Sequence, residues 1–214
     1  MEIRLEGIGK KFGPDWIFRG VTCTFRDGSV SAILGRNGSG KSTLLQIVAG
    51  SLHPTEGRVT YTHGGEVIAN DEIFRYLTLA TPYLELLEDF TLEEMVRFHF
   101  RFKRFIPGFD HAAVIRQLDF PAMAHKQLAK FSSGMKQRLK LALAVLSDVP
   151  LLLLDEPAMN LDRAGTDWYL ELLERYRLGR TLIICSNMKE TEASFAGEVI
   201  RIEDFRQTAA GTGV

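Results

Sequence analysis

Gly35-Arg36-Asn37-Gly38-Ser39-Gly40-Lys41-Ser42 is the stretch on which the reading of this chain turns. It follows an apolar run, Val30 to Leu34, and precedes apolar residues at helical spacing, Leu44, Leu45 and Val48. The octapeptide therefore matches G-x-x-x-x-G-K-[ST] in strand–loop–helix surroundings, the setting in which that pattern cradles phosphate. Each residue type has a reason. Glycines let the backbone curl until successive N–H groups face inward at phosphate oxygens. Lys41 brings a flexible ammonium to the β and γ phosphates, and the Ser42 hydroxyl suits Mg²⁺. A helix opening near Lys41 adds the positive end of its dipole. A plain glycine-rich turn would not explain a lysine and a serine set directly after the last glycine.

Outward from the loop, residues 2–34 read as strands. Ile3 and Leu5 alternate with charges, and Val21, Cys23 and Phe25 alternate with polar residues. Asp27-Gly28 predicts a hairpin turn into the strand that feeds the loop, and Gly64-Gly65 a second hairpin between Val59–Tyr61 and Glu66–Ile68. Leu77 to Ala80 predicts a strand stopped by Pro82. Thr91-Leu92-Glu93-Glu94 is a capping box, which predicts a helix running to about Phe105. Further helices are expected at Ala112 to Leu118, Ser133 to Ser147 and about Ala164 to Tyr176, with strands at Thr181 to Cys185 and near Glu198 to Ile202. The pattern predicts an α/β fold with a mostly parallel sheet, an antiparallel β part at the start and a helical insertion over 84–147.

The bulk numbers narrow the classes. With 214 residues the chain can bury one sizeable core, and 45% hydrophobic with 25% charged residues fits an ordinary globular domain. A net charge of −1 provides no basic excess to collect nucleic acid, so no nucleic-acid partner is expected. Cys23 and Cys185 lie in strand-like stretches and read as buried thiols. The five histidines have no ligand-like spacing. No run reaches eighteen apolar residues and the first residues lack a signal-peptide core, so a cytoplasmic chain without direct membrane insertion is expected.

Leu151-Leu152-Leu153-Leu154-Asp155-Glu156-Pro157 carries the next chemical signal. Four leucines bury a strand and deliver two carboxylates at its C-terminal end, where α/β ligands sit. Asp155 suits Mg²⁺, and Glu156, pointing differently, can polarise a water. Upstream stands Phe131-Ser132-Ser133-Gly134-Met135-Lys136-Gln137-Arg138, a helix start that would be only a cap in another setting.

With these motifs in this order, the sequence resembles the ATP-binding-cassette (ABC) ATPases over nearly its whole length, from about residue 2 to 204. Their signature begins Leu-Ser-Gly-Gly-Gln; this chain keeps Ser132 and Gly134 and departs at Phe131, Ser133 and Met135. The Asn160-Leu161-Asp162 turn also fits. The resemblance implies a P-loop NTPase of RecA-like design, one nucleotide-binding domain over 1–206 with the helical part inserted, and a flexible tail over 207–214. It implies ATP and Mg²⁺ as cofactors. ATP would be held by residues 35–43 (Gly35, Arg36, Asn37, Gly38, Ser39, Gly40, Lys41, Ser42, Thr43), with Mg²⁺ on Ser42 and Asp155. Phe12, or less favourably Trp16, would stack on adenine. It further implies that two copies, or this chain and a homologous cassette, pair head to tail. Each ATP would then lie between one copy's loop and the other's Ser132, Ser133 and Gly134, with Asp162 near the seam. Catalysis would rest on Glu156, Lys41 and Asn187.

Two family positions differ. The family's Gln after the strand ending near Ala80 is absent from Leu79-Ala80-Thr81-Pro82-Tyr83, and Asn187 stands where the family has His. Asn can donate an amide hydrogen bond but carries no proton near neutral pH. The resemblance thus leaves two functions open. One is the ATP-hydrolysing subunit of an ABC transporter, attached to the inner face of the membrane through a separate transmembrane permease. The other is a cytosolic ATP-dependent regulatory or assembly module with weak turnover. Arg97, Arg101 and Arg104 beside Phe98, Phe102 and Phe105 predict adjacent cationic and aromatic stripes on one helix, either a solvated stripe beside a core stripe or a docking face.

Overall fold

In the computed structural model, which describes residues 1–177, 179–187 and 196–206, the strands are β1 (Glu2–Phe12), β2 (Asp15–Phe25), β3 (Val30–Leu34), β4 (Glu56–His63), β5 (Glu66–Ile68), β6 (Leu77–Ala80), β7 (Leu151–Asp155), β8 (Thr181–Ser186) and β9 (Glu198–Arg201). The helices are α1 (Lys41–Val48), α2 (Leu92–His99), α3 (His111–Gln117), α4 (Ser133–Val145) and α5 (Arg163–Tyr176). The expected tail, 207–214, lies outside the described residues. The chain divides into two compact units, Met1–Phe74 with the segment from Arg180 onward, and Arg75–Gly179.

The first unit holds two sheets. An antiparallel sheet has the order β2-β1-β4-β5, with Ile3 opposite Phe25 and Leu5 opposite Cys23. Alternation along β1 turns Ile3 and Leu5 inward, where both are fully buried. The second sheet sets β3 between β8 and β9, all parallel, so each connection must cross over rather than turn back. All six residues of β8 are buried, as a strand covered on both faces requires. The Tyr61 hydroxyl of β4 donates to the Val48 carbonyl at the end of α1 (3.0 Å). Burial pushes that phenol up to about 12.

The Asp27-Gly28 turn is not a hairpin. β2 and β3 belong to different sheets, and the turn carries the chain between them. Its polar groups are fixed from outside: Gly28 N–H donates to Thr181 Oγ1 (3.0 Å), and the Asp27 carboxylate pairs with the N-terminal ammonium. A hairpin would have given β3 a β2 partner in place of one of its two parallel neighbours.

In the second unit β6 and β7 pair in parallel, Leu77 opposite Leu151 through Ala80 opposite Leu154. Thr78 Oγ1 donates to the Ala144 carbonyl of α4 (3.0 Å). Local chemistry starts each helix here: Thr91, Asp110, Ser132 and Asp162 accept a backbone N–H at the first turns of α2, α3, α4 and α5, and Thr91 with Glu94 forms the full capping box.

α2 ends at His99, short of Phe105. Beyond it the backbone runs beside the end of α4, Ile106 N–H donating to Leu146 O (3.0 Å) and Asp148 N–H to Arg104 O (2.9 Å). Burying Ile106 this way competes with further helix and wins. The predicted Arg and Phe stripes therefore do not share one helix. Arg97 is forked onto Glu93 one turn back, Phe102 is 72% exposed and Phe98 37% exposed, so neither ring is core.

Candidate functional site

In the first unit, residues 35–43 join buried β3 to α1. Gly38 and Gly40 have φ of 75° and 107°, left-handed values that admit glycine with little strain. Among the α-helices of the described residues, α1 alone has an N-cap without a side chain: Gly40 makes no capping bond, whereas α2 to α5 are capped by Thr, Asp or Ser. No side chain caps the first N–H groups of α1, which suits this end to an anionic ligand.

Lys41 is 5% exposed, and its ammonium folds back over the loop to donate to Gly35 O (2.8 Å) and Arg36 O (3.2 Å). Ser39 Oγ is buried inside the loop without a hydrogen-bond partner, a hydroxyl able to serve a phosphate oxygen. Beneath α1, Cys185 Sγ donates to Lys41 O (3.7 Å). Ser42 and Thr43, half-buried, lie in the first helical turn. These residues fit a polyphosphate: they supply donors, two cations, Arg36 and Lys41, and no carboxylate of their own.

Gly35 is glycine for packing rather than torsion. A Cβ there would meet Ser39 Oγ at 2.5 Å, Ile202 Cγ2 at 2.6 Å and Glu203 Oε2 at 2.8 Å. We predict that Gly35→Ala lowers stability by about 1–3 kcal/mol, the usual cost of overpacking. Chemical denaturation of the nucleotide-free protein checks it; an unchanged midpoint would contradict the packing shown.

Phe12 ends β1 with its ring 52% exposed and the Lys10 ammonium 5.1 Å from the ring centroid, so it is a surface ring and not a core one. Trp16, opposite Lys11, is half-covered by the Arg19 guanidinium at 4.7 Å. Asn187 follows β8 and is exposed. Just before it, Ser186 pairs in register with Leu34, the residue that enters the loop.

In the second unit, Asp155 closes β7 at 3% exposure and Glu156 follows with φ 44°, an unusual value for a non-glycine residue that turns the chain sharply after the strand. Gln137 Nε2, buried in α4, donates to Pro157 O (2.9 Å) and holds that turn. Sequence reasoning quoted Gln137 only within the stretch that opens this helix and gave its side chain no task, since a local string does not show which distant carbonyl an amide will meet.

Ser132, Ser133, Gly134 and Asp162, distant in sequence, line one cavity of about 310 Å³ with Phe120 and Arg138. Ser132 Oγ accepts from Met135 N–H (3.2 Å), which leaves its own proton to donate. A Cβ on Gly134 would stand 2.9 Å from Asn160 O, so only glycine lets the helix start approach that turn. The Arg138 guanidinium is sandwiched between Phe120 (4.9 Å) and Trp168 (4.5 Å). Among the described residues no cluster of His, Cys, Asp and Glu could hold a metal by itself.

A family model described as ABC transporter matches residues 18–159. The chain belongs to that family. It is 33% identical over 200 residues to the energy-coupling factor transporter ATP-binding protein EcfA2 of Thermotoga maritima, covering 90% of this chain and 74% of that one. It is 32% identical over 191 residues to the cytochrome c biogenesis ATP-binding export protein CcmA of Agrobacterium fabrum, 86% of this chain and 87% of that one. Two mammalian relatives are far longer, and the chain spans 9% of each. In fold it is similar to a dimeric bacterial ABC transporter cassette, with a TM-score of 0.78 over 94% of both chains at 22% identity. The expected P-loop α/β architecture, with parallel and antiparallel sheets, is thus the family's own. No helix among the described residues is long and apolar enough to cross a membrane.

Proposed function

We propose that this ABC cassette is the ATP-binding and ATP-hydrolysing subunit of a transporter, working as a head-to-tail pair on a separate transmembrane permease. The phosphate loop carries the reading: left-handed glycines, an uncapped helix start and a folded-back Lys41 fit a polyphosphate. The relatives named above support it, two being ATP-binding proteins of transport systems.

Within the reading each residue has a task. Loop N–H groups and Lys41 grip the β and γ phosphates, and Phe12 offers an exposed face to adenine. The Ser42 hydroxyl and Asp155 carboxylate are hard oxygen donors that would hold Mg²⁺, which neutralises charge on the phosphates when bound. Glu156 orients the attacking water and draws off its proton. Ser132 and the N–H groups of Ser133 and Gly134 form a second anion-binding concavity, which a second copy would turn onto the γ-phosphate. Exposed Tyr83, Leu84, Leu87 and Phe102 give the second unit apolar surface for a membrane subunit.

Asn187 donates to the γ-phosphate as a neutral group in place of the family's His, so turnover persists at a reduced rate. Asn187→Ala is expected to slow phosphate release by roughly 10²-fold, the usual cost of one transition-state donor. An unchanged rate would remove the residue from the mechanism. Saturable MgATP binding by the purified chain tests the reading itself; its absence would end it. Wild-type protein that closes on ATP with no measurable turnover would favour the regulatory module instead.

A further inference from the structure

The phosphate loop is gripped from behind by a segment that sequence reasoning left without a role. After β9 the chain makes a 3-10 turn, Ile202–Phe205, which sets Ile202 and Glu203 against Gly35. Glu203 Oε1 accepts the Arg36 N–H at 2.6 Å, joining residues 167 apart in sequence. Directly after the turn, Arg206 reaches Gly38 O, a longer contact of 3.4 Å. An acid on one loop N–H and a guanidinium on one loop carbonyl therefore bracket the loop's first half.

The contact is specific. Glu203 Oε2 lies where a Cβ on Gly35 would intrude, so the missing side chain makes room for the carboxylate. Partial burial pushes the Glu203 carboxyl upward, but the Arg36 N–H, its own backbone, Lys41 and Arg206 outweigh this and hold it below the usual range. It therefore stays ionised at neutral pH, when a charged acceptor makes the stronger bond.

We infer that Glu203 is a positioning residue for the phosphate loop, a carboxylate clamp on Arg36 N–H that keeps the loop shaped for its triphosphate before the ligand arrives. The inference rests on the nucleotide reading above. A carboxylate beside a polyphosphate site has an obvious electrostatic cost, so the clamp must gain more by preorganisation than it loses by repulsion. The two effects separate experimentally, because Glu203→Gln keeps an acceptor oxygen and drops the charge, whereas Glu203→Ala drops both.

Hydrogen–deuterium exchange on the nucleotide-free protein reads the clamp directly. Glu203→Ala should speed exchange across residues 35–41, and Glu203→Gln should stay near wild type. In MgATP titrations Glu203→Ala should bind about five- to tenfold more weakly, the net scale of one hydrogen bond. Its KM should rise with kcat within about twofold, the pattern of lost ground-state positioning. Wild-type exchange and wild-type affinity in Glu203→Ala would overturn the clamp alone. Tighter binding in both variants would overturn it too, since repulsion would then dominate. Wild-type protein that ignored MgATP would overturn the clamp's purpose together with the nucleotide reading.

Discussion

Replacing Glu156 by glutamine is expected to cut ATP hydrolysis by roughly 10²–10³-fold, while MgATP still binds and the protein accumulates as a stable dimer. The shape is kept, because an amide matches a carboxylate in size, but it takes no proton from water at neutral pH. The residue's position supports this division of effects. It sits directly past five buried strand residues at φ 44°, with the following carbonyl held by Gln137. Strained backbone at such a place persists when the surroundings over-determine it, and clusters where chemistry is done. Phosphate release and light scattering at saturating MgATP measure the two halves of the prediction. A variant that hydrolyses ATP at the wild-type rate removes Glu156 from the chemistry, and one that stays monomeric counts against the shared site.

Lys41→Ala should weaken MgATP binding by about 10²-fold or more, since the charge-assisted contact proposed between this buried ammonium and phosphate would be lost. The ammonium is buried and already folded over the loop, so little side-chain freedom remains to be given up when a phosphate arrives. Thermal denaturation separates the ligand effect from damage to the fold. Ligand at a hundred times its Kd stabilises a protein by about 2.7 kcal/mol, and the variant should lose that gain at ligand levels that saturate wild type. Its nucleotide-free stability should fall by about 1 kcal/mol, because two loop carbonyls lose a donor. Equal stabilisation of both proteins by MgATP would contradict the role given to Lys41.

Much of this was legible in residue order, for local reasons. The capping box at Thr91, the Gly64-Gly65 hairpin and the leucine run before Asp155 each depend on groups within a few residues, and each stands where predicted. The Asp27-Gly28 turn and the far end of α2 were misread because distant partners decided them. Thr181 and the N-terminus hold the first, and the strip beside Leu146 draws Ile106 away from the second. Charge and aromatic spacing over 97–105 looked helical because spacing cannot register a competing backbone partner 40 residues later.

The sequence alone determined the phosphate loop, the paired carboxylates and the family, since each is a contiguous string whose chemistry needs fixed neighbours. Only the tertiary structure joined Ser132, Ser133, Gly134 and Asp162 around one cavity, exposed Phe12, and brought the Glu203 carboxylate onto the Arg36 N–H. Those contacts are made by chain segments tens to more than a hundred residues apart. Burial of the strands and helices between them sets such distances, and no local pattern records them.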